Sequence, residues 1–319
     1  MFTVQDYCKC CKEDAYGGSI ELVDAGILAL LNEIQSGTYN DVREFCKALE
    51  QFVDSILFVS TSVLPLINLL IKVLAFAKEK ERETDLKAVR NQAVQLLLQH
   101  QDNQNHSTKN IGVYGSRIIK DLSKIGTFST SGTVMSILQE AVKDKKRINA
   151  VCFEARPHNE GYRTLKEIAE LDIPVVLGVD ALLCCLIPKC DLFIIGVDAI
   201  TAEGAVYAKT GSYLAALACK EFGIPFYVAA DTSKFDTLSV YGFPLKSSDR
   251  PIEEVTNEKF PKNASIRNIS FELIPSYLIH AIITEKGIVP PSSIGSIAKV
   301  DVTNEYVVNK LADWVNSDR

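Results

Sequence analysis

The sequence predicts an α/β protein, in which a helical N-terminal domain is followed by a Rossmann-like, doubly wound and mostly parallel sheet domain. Apolar residues recur every three or four positions from residue 19 to about 98, which is the spacing of amphipathic helices. Beyond residue 110, short β-branched runs alternate with helical stretches, which is typical of a parallel sheet covered by helices. We therefore assign residues 1–105 to the helical domain and residues 106–319 to the sheet domain.

The helical domain should be a bundle, because its helical spacing continues with hardly a strand-like run. Residues 56–77 are strongly apolar but contain Ser60, Asn68 and Lys72, so they predict a buried core helix rather than a membrane span. The polar segment 99–110 predicts a weakly structured boundary between the two domains.

The sheet domain should contain five strands, at residues 124–129, 149–155, 174–180, 192–198 and 225–231. Between them lie the predicted helical segments 131–145, 160–172, 181–187 and 211–223. An additional C-terminal helix is predicted from about residue 302, where Val307, Leu311 and Trp314 fall at helical spacing.

Polar residues close each predicted strand, at the edge where open α/β sheets bind their ligands. These residues are Ser129, Glu154 with Arg156, Asp180, Asp198 and Asp231. Neither a G-x-G-x-x-G fingerprint nor a P-loop is present, so the sheet is expected to bind something other than a dinucleotide or a P-loop nucleotide.

Composition narrows the class of protein further. The net charge of −6 argues against a direct nucleic-acid contact, which needs a basic face. Nine cysteines, several within apolar segments, predict reduced thiols in a cytoplasmic protein. Cys8, Cys10 and Cys11 form a C-x-C-C cluster, but no second pair or histidine completes a metal site. We expect no metal, no cofactor, no secretory signal and no membrane association.

Several motifs carry a resemblance to a known family. They are EARPHNEG at 154–161, VDA at 179–181, GVDAI at 196–200, GAVYAKTG at 204–211, KF at 234–235 and FELIPSYLIHAIITEKGIVPP at 271–291. In order and spacing they resemble the alpha, beta and delta subunits of translation initiation factor 2B. That family also contains the methylthioribose-1-phosphate and ribose-1,5-bisphosphate isomerases, and this chain is closest in type to an alpha-subunit-like member.

The resemblance implies dimers formed through the sheet domain, and in its isomerase members a cysteine and an aspartate that move protons between the first two sugar carbons. Asp198 falls on the aspartate, whereas Ser129 falls on the cysteine. A thiol can exchange a proton near neutral pH, but a serine hydroxyl needs a strong adjacent base, and no histidine is placed to serve. Ser129 is therefore expected to be inactive.

Two more positions depart from the isomerase pattern. An arginine–glycine motif is replaced by Tyr16, Gly17 and Gly18, and the asparagine that precedes the lysine is replaced by Ala208. These departures suggest the loss of a phosphate anchor and of a hydrogen bond to the sugar.

A ligand pocket could still be formed by Ser131, Gly132, Arg156, Lys209 and Lys234, together with Tyr16, Gly17 and Gly18. The amides at the helix start near Ser131 could cradle a phosphate, although an ordinary N-cap explains the same residues equally well. Asp198 could equally be a structural acid, Arg156 an ion-pair partner of Glu154 or Glu160, and Lys209 a cap of the hairpin.

The sequence thus favours a non-catalytic regulatory or assembly protein of the alpha-subunit type, which could bind a sugar phosphate or nucleotide in an ancestral isomerase pocket. The alternative is an aldose–ketose isomerase of the ribose-1,5-bisphosphate type that uses Asp198. Expected partners are a second copy of the chain, in a homodimer or higher oligomer, translation initiation factor 2 or related subunits, and a small phosphorylated ligand.

Overall fold

The computed structural model describes residues 2–12, 19–59, 64–236, 239–240 and 249–298. These residues divide into two compact units. The first unit contains the described residues up to Asn105 and, from later in the chain, residues 235–236 and 239–240. The second unit contains His106–Lys234 and residues 249–298.

Helices account for the first unit. They are α1 Val4–Lys12, α2 Ser19–Ser36, α3 Val42–Val59, α4 Leu64–Glu79 and α5 Leu86–Ser116, the last of which continues beyond Asn105. The apolar residues that repeat at helical spacing form the core, including Ile27 and Leu30 of α2, Phe45 and Leu49 of α3, and Leu70 of α4. The helical N-terminal region is thus confirmed.

The apolar stretch 56–77 differs from the prediction of one core helix. Its first residues complete α3, which ends at Val59, and a separate helix, α4, begins at Leu64. Pro65 lies in the first turn of α4, where its missing N–H removes no hydrogen bond. No helix within the described ranges combines the length and the hydropathy that a membrane span requires.

The prediction that residues 99–110 are weakly structured is wrong, because α5 continues through them to Ser116. This polar stretch contains neither proline nor glycine, so nothing in it breaks a helix. The glycines near the end of α5 serve packing instead. A Cβ at Gly115 would lie 2.5 Å from the Ile137 side chain, so only glycine allows this close approach.

The second unit contains two sheets. The strands of the larger sheet are β1 Lys124–Gly126, β2 Asn149–Phe153, β3 Val175–Gly178, β4 Leu192–Gly196, β7 Phe226–Ala229, β9 Ala281–Thr284 and β10 Gly287–Val289. These seven strands lie in the order β10-β9-β7-β4-β1-β2-β3, and all neighbours are parallel except β10 and β9. All five predicted strands belong to it, and the mostly parallel α/β fold is confirmed.

Helices connect these strands, as the alternating pattern predicted. They are α6 Gly132–Lys143, α7 Gly161–Ala169, α8 Leu183–Leu186 and α9 Ser212–Phe222, with a short α10 at Ile294–Ala298. Residues from about 302, where a further helix was predicted, lie outside the described part of the chain.

A second, antiparallel sheet follows the turn at Asp198. It consists of β5 Ala199–Ile200, β6 Val206–Lys209 and β8 Phe271–Ile274, in that spatial order. The β5–β6 pair is the hairpin that ends at Lys209, and β8 holds the far edge of β6 in place. This small sheet therefore fixes both ends of the segment 198–209.

Four phenylalanine rings pack in a row across the large sheet, from the carboxyl ends of β1 and β2 to the amino ends of β4 and β7. Phe128, Phe153, Phe193 and Phe226 are buried, and successive ring centroids lie 6.3, 6.3 and 5.8 Å apart. Each ring belongs to one of four neighbouring strands or to the residues just beyond its end. The row gives the loops above it a rigid base.

Candidate functional site

The candidate site lies where the connections of the large sheet reverse direction. From β1 the chain continues to β2 on one side, whereas β4 lies on the other side of β1. Such a topological switch point is where open α/β sheets bind ligands. Ser129 follows β1 and Asp198 follows β4, so these two residues flank the switch point.

Ser129 is held in an unusual conformation. Its φ of 62° lies in the left-handed region, which costs a residue with a Cβ about 1 kcal/mol. The Thr164 hydroxyl donates to the Ser129 carbonyl at 2.8 Å, and the Ser129 hydroxyl donates to Glu160 Oε2. These hydrogen bonds fix a buried serine whose hydroxyl points at a carboxylate.

Glu160 joins Ser129 to the lysine of the hairpin. Lys209 Nζ donates to Glu160 Oε1 at 2.9 Å, so the carboxylate has a hydrogen-bond donor on each oxygen. The Lys209 side chain is 10% exposed and the Glu160 side chain 23% exposed. The alternative interpretation, in which Lys209 only caps the hairpin, does not account for this ion pair with Glu160. A carboxylate therefore lies next to Ser129, at a position where the sequence had indicated no base.

Glu160 is the functional residue that the sequence analysis missed. The sequence suggested it only as an ion-pair partner of Arg156. It belongs to the EARPHNEG motif, but its direction depends on a loop with positive φ at Ala155 and Asn159, both 56°. Gly161 closes that loop, where a Cβ would lie 1.7 Å from the Phe153 carbonyl oxygen. Only glycine therefore allows Glu160 to reach the site.

Asp198 is a poorly satisfied acid. Its backbone N–H donates to the Tyr207 carbonyl at 2.8 Å, but no described residue donates a hydrogen bond to its carboxyl group. Burial raises the pKa of this carboxyl group, and the Glu160 charge raises it further, whereas Lys234 and Lys209 act to lower it. The net effect is a pKa above that of an ordinary aspartate, so the folded protein shifts this acid towards its neutral form.

Lys234 and Arg156 lie on two other loops at this edge. Lys234 Nζ donates to the Val197 carbonyl at 2.7 Å, next to Asp198. The exposed Arg156 guanidinium donates to the Val255 carbonyl at 2.9 Å. Arg156 is paired neither with Glu154 nor with Glu160 by any contact in the described structure. Both cations keep donors that could meet an anion.

Two other strand-end acids are structural. Asp180 accepts the backbone N–H groups of Ala155 and Arg156 at 2.9 and 2.8 Å, and so shapes the loop that carries Glu160. Asp231 accepts the Ser233 N–H at 2.9 Å and its hydroxyl. Among the described residues, the Glu154 side chain makes no hydrogen bond or ion pair.

The predicted phosphate cradle is the first turn of α6. Ser131 is its N-cap, and its hydroxyl accepts from the Val134 N–H at 3.4 Å and lies 2.9 Å from the Thr133 hydroxyl. A Cβ at Gly196 would meet Ser131 Oγ at 2.2 Å, so the helix start packs closely against the end of β4. Gly132 is exposed. Ser131 is thus an ordinary N-cap, and the exposed Gly132 leaves this helix start open to a phosphate.

Tyr16, Gly17 and Gly18, the other predicted ligand-binding residues, lie outside the described residues. Ala208 lies on β6 and is fully buried. A metal has no evident place here: within the described ranges, no three His, Cys, Asp or Glu side chains are grouped as ligands.

A cavity of about 420 Å³ lies at the opposite edge of the sheet, where β1, β4 and β7 begin. Lys120, Asp121, Asp191 and Tyr227 line part of it. Asp191 accepts the Lys124 N–H at 2.7 Å and is thus already used by the sheet. The chemistry-bearing cluster is at the carboxyl edge, so we do not assign the site to this cavity.

Comparison with known proteins finds relatives that are named ribose 1,5-bisphosphate isomerase. The ribose 1,5-bisphosphate isomerase of Methanocaldococcus jannaschii is 35% identical over 209 residues, which are 65% of this chain and 64% of that protein. The match therefore spans less than two thirds of that relative. The ribose 1,5-bisphosphate isomerase of Thermococcus kodakarensis is 29% identical over 293 residues, 90% of this chain and 89% of that protein.

Solved structures give the same fold. The translation initiation factor eIF-2B of Pyrococcus horikoshii OT3 superposes with a TM-score of 0.75 at 27% identity, covering 90% of this chain and 97% of that one. A chain of the tetrameric eIF2B-beta2-delta2 complex from C. thermophilum gives a TM-score of 0.73 at 18% identity, covering 92% of each chain. Proteins with this fold thus include subunits of an oligomer.

The preference for a non-catalytic regulatory protein is wrong. Several relatives at 29–36% identity are named ribose 1,5-bisphosphate isomerase, which favours the isomerase alternative. The physical reason for the error is Glu160. Only Ser129 and the histidines were considered from the sequence as partners of Asp198, whereas the structure places the Glu160 carboxylate in the site, where it accepts a hydrogen bond from Ser129.

The family itself follows from a match over most of the chain. The sequence profile of the initiation factor 2 subunit family matches residues 16–291, which include both the helical region and the parallel sheet. The motifs quoted from the sequence all lie inside that range. The chain belongs to the initiation factor 2 subunit family.

Proposed function

We propose that this protein is an aldose–ketose isomerase that acts on a sugar phosphate of the ribose 1,5-bisphosphate type. The observation that carries the proposal is Asp198, an acid at the switch point whose pKa is raised by burial and whose carboxyl group no described side chain satisfies. A carboxyl group whose pKa is raised by its surroundings is better able to hold a proton and donate it to a reacting oxygen. The names of the relatives at 29–36% identity supply the substrate class.

The surrounding cations suit a phosphorylated substrate. Lys234 and Arg156 each keep unused donors at this edge, and the start of α6, where Gly132 is exposed, carries the positive end of a helix dipole. We assign one phosphate to the α6 start at Ser131 and Gly132, and the other to the side of Lys234 and Arg156. Tyr16, Gly17 and Gly18 stay candidates for the same role.

The test is turnover of ribose 1,5-bisphosphate by the purified chain, followed by NMR as formation of the ketose. Asp198→Asn should lower kcat by roughly 10²–10⁴-fold, which is the usual contribution of a general acid or base. Glu140→Gln is the matched control, because the Glu140 side chain is also a partly buried acid of this unit, 18% exposed, but it pairs with Lys143 at the far end of α6. It should keep wild-type kcat.

Absence of turnover in the wild-type protein, on this substrate and on methylthioribose 1-phosphate, would contradict the proposal. Equal loss in both variants would also count against it, since that result would mean that general damage to the unit lowers activity.

We further propose that the chain self-associates through its sheet unit. The apolar segment Ile274–Ile288 buries most of its apolar residues within the unit itself. Tyr277 and Ile288 within it, and Leu273 just before it, stay exposed and offer an apolar surface to a second copy. Light scattering should give the mass of a dimer or higher oligomer, and a monomer at micromolar concentration would contradict this. All nine cysteines are free, which supports a reducing compartment such as the cytoplasm.

A further inference from the structure

The Glu160 carboxylate lies in the candidate site, but the resemblance to the family gives it no role. One carboxylate oxygen accepts from Ser129 and the other from Lys209 at 2.9 Å. A carboxylate offers about four acceptor positions, so these two contacts leave the remaining lone pairs free. Its side chain is 23% exposed, more than the 10% of Lys209. The carboxylate is thus oriented from two sides and still accessible.

Glu160 and Asp198 have opposite surroundings. Lys209 supplies a direct counter-charge to Glu160. Burial raises the pKa of Asp198, and the Glu160 charge adds to that rise, so the two acids influence each other. Two carboxyl groups whose environments differ in this way divide the roles of base and acid between them.

We infer that Glu160 is the general base of the isomerisation, in the place that the resemblance gives to a cysteine, with Asp198 as the acid. The inference rests on the proposed function. Ser129 and Lys209 are then positioning residues, because each acts on the substrate only through the Glu160 carboxylate. The Ser129 hydroxyl needs no unusual acidity in this role, since it only donates a hydrogen bond.

The proton transfers balance without a cofactor. Glu160 takes the proton from C2 of the sugar, and the C–H electron pair forms a C1–C2 double bond. The bond from C1 to the ring oxygen breaks, and that oxygen keeps the electron pair and takes a proton from Asp198. The C2 hydroxyl of the enol then returns a proton to Asp198 as the ketone forms, and C1 takes the proton back from Glu160. One hydrogen has moved from C2 to C1.

The experiment measures kcat, KM and deuterium incorporation at C1 in heavy water for four variants. Glu160→Gln should lower kcat by roughly 10²–10⁴-fold with little change in KM. Ser129→Ala should lower kcat by less than about tenfold, because the base remains. Glu160→Asp keeps the charge but withdraws the carboxylate, so a loss of about 10²-fold is expected. Adding Ser129→Cys to Glu160→Gln should restore kcat in part, since a thiolate can act as the base.

Wild-type kcat in both Glu160 variants, with Asp198→Asn inactive, would overturn this inference and leave the proposed function intact. A loss in Ser129→Ala as large as in Glu160→Gln would overturn it too, because Ser129 would then itself transfer the proton. An inactive wild-type protein would overturn the proposed function and this inference together. Glu160→Asp keeps a negative charge near Lys209, so it guards against a variant that fails to fold because that lysine has lost its counter-charge.

Discussion

Two acids of the second unit show how differently one fold can treat a carboxyl group. Glu254 accepts from the Arg250 guanidinium at 3.0 and 2.7 Å and from the Asn268 amide at 2.7 Å, and His158 lies 3.2 Å away. Asp198 accepts no hydrogen bond at its carboxyl group from any described residue. We call these the Glu254 cluster and the Asp198 site.

Burial acts in the same direction on both acids, but the outcome differs. In the Glu254 cluster burial raises the pKa, yet the hydrogen bonds from Arg250 and Asn268 outweigh it, and the pKa is lowered. At Asp198 burial is the largest effect and the pKa is raised. An acid with charged and amide donors stabilises the fold, whereas an acid that is desolvated without such donors has a raised pKa, which is typical of sites that do chemistry.

The largest effect is expected where the backbone supports the Asp198 site. Gly161→Ala places a Cβ 1.7 Å from the Phe153 carbonyl oxygen, and neither atom belongs to a flexible side chain. We expect a loss of about 3 kcal/mol or more in the free energy of unfolding, because the backbone must shift. Turnover should fall as well, since Glu160 directly precedes this residue. Urea denaturation and the kinetic assay measure both.

The control for this change is Gly223→Ala. Gly223 has a φ of 69°, but nothing lies within 4 Å of its added Cβ. Only the left-handed backbone is penalised there, at about 1 kcal/mol. Equal losses in the two variants would mean that the close approach at Gly161 does not matter.

The Glu254 cluster should affect stability and not turnover. Glu254→Ala leaves the Arg250 guanidinium and the Asn268 amide without their main acceptor, which should cost about 2 kcal/mol. Glu167→Ala removes only an exposed pair with Arg163, worth at most about 1 kcal/mol. Chemical denaturation compares the two. A Glu254 variant with unchanged stability and lost turnover would reverse the distinction between the two acids.

The sequence predicted the strands correctly, but it did not predict the contacts of Glu160 with Ser129 and Lys209. The five β-branched runs are bounded by turn residues, so each identified a strand, and Ser129 and Asp198 followed from the strand ends. Glu160 could not be assigned, because its direction depends on two positive-φ residues, Ala155 and Asn159. Such backbone conformations are set by tertiary contacts, here those that Asp180 makes with the loop.

The second sheet was missed for a related reason. β8 lies more than sixty residues after β6, so no local pattern indicates that the two pair. Residues 99–110 were misjudged because polar composition was taken to indicate weak structure, although polar residues continue a helix when no breaker intervenes. Local patterns therefore gave the elements, whereas long-range contacts decided the side-chain pairs.

A smaller effect should follow from removing the lysine of the site. Lys209→Met leaves the Glu160 carboxylate without its counter-charge in a largely buried position, at a cost of roughly 1–2 kcal/mol. Lys143→Met removes a similar pair with Glu140 from a lysine that is 66% exposed, and should change stability little. Thermal unfolding of the two variants measures the difference. Equal effects would show that the Lys209 pair is no better desolvated than a surface pair.

The smallest expected effect is a change of Tm with pH. Its sign should be opposite for Asp198 and Glu254, so it tests the comparison of the two acids most directly. The folded pKa of Asp198 is raised, so its neutral form stabilises the fold at low pH, and this contribution is lost as pH rises through the folded pKa. Asp198→Asn removes the cost of the buried charge, so its Tm should exceed that of the wild type at about pH 8 and approach it at about pH 4.

Glu254 should behave in the opposite way. Its folded pKa is lowered, so its contribution is present above the unfolded pKa and is lost as pH falls through the folded pKa. Glu254→Gln should therefore lower Tm at about pH 8, with a deficit that shrinks as the pH falls. Differential scanning calorimetry across this range compares both variants. If Asp198→Asn instead lowered Tm at the higher pH, Asp198 would be a satisfied structural acid like Glu254, and the functional role assigned to it would lose its physical basis.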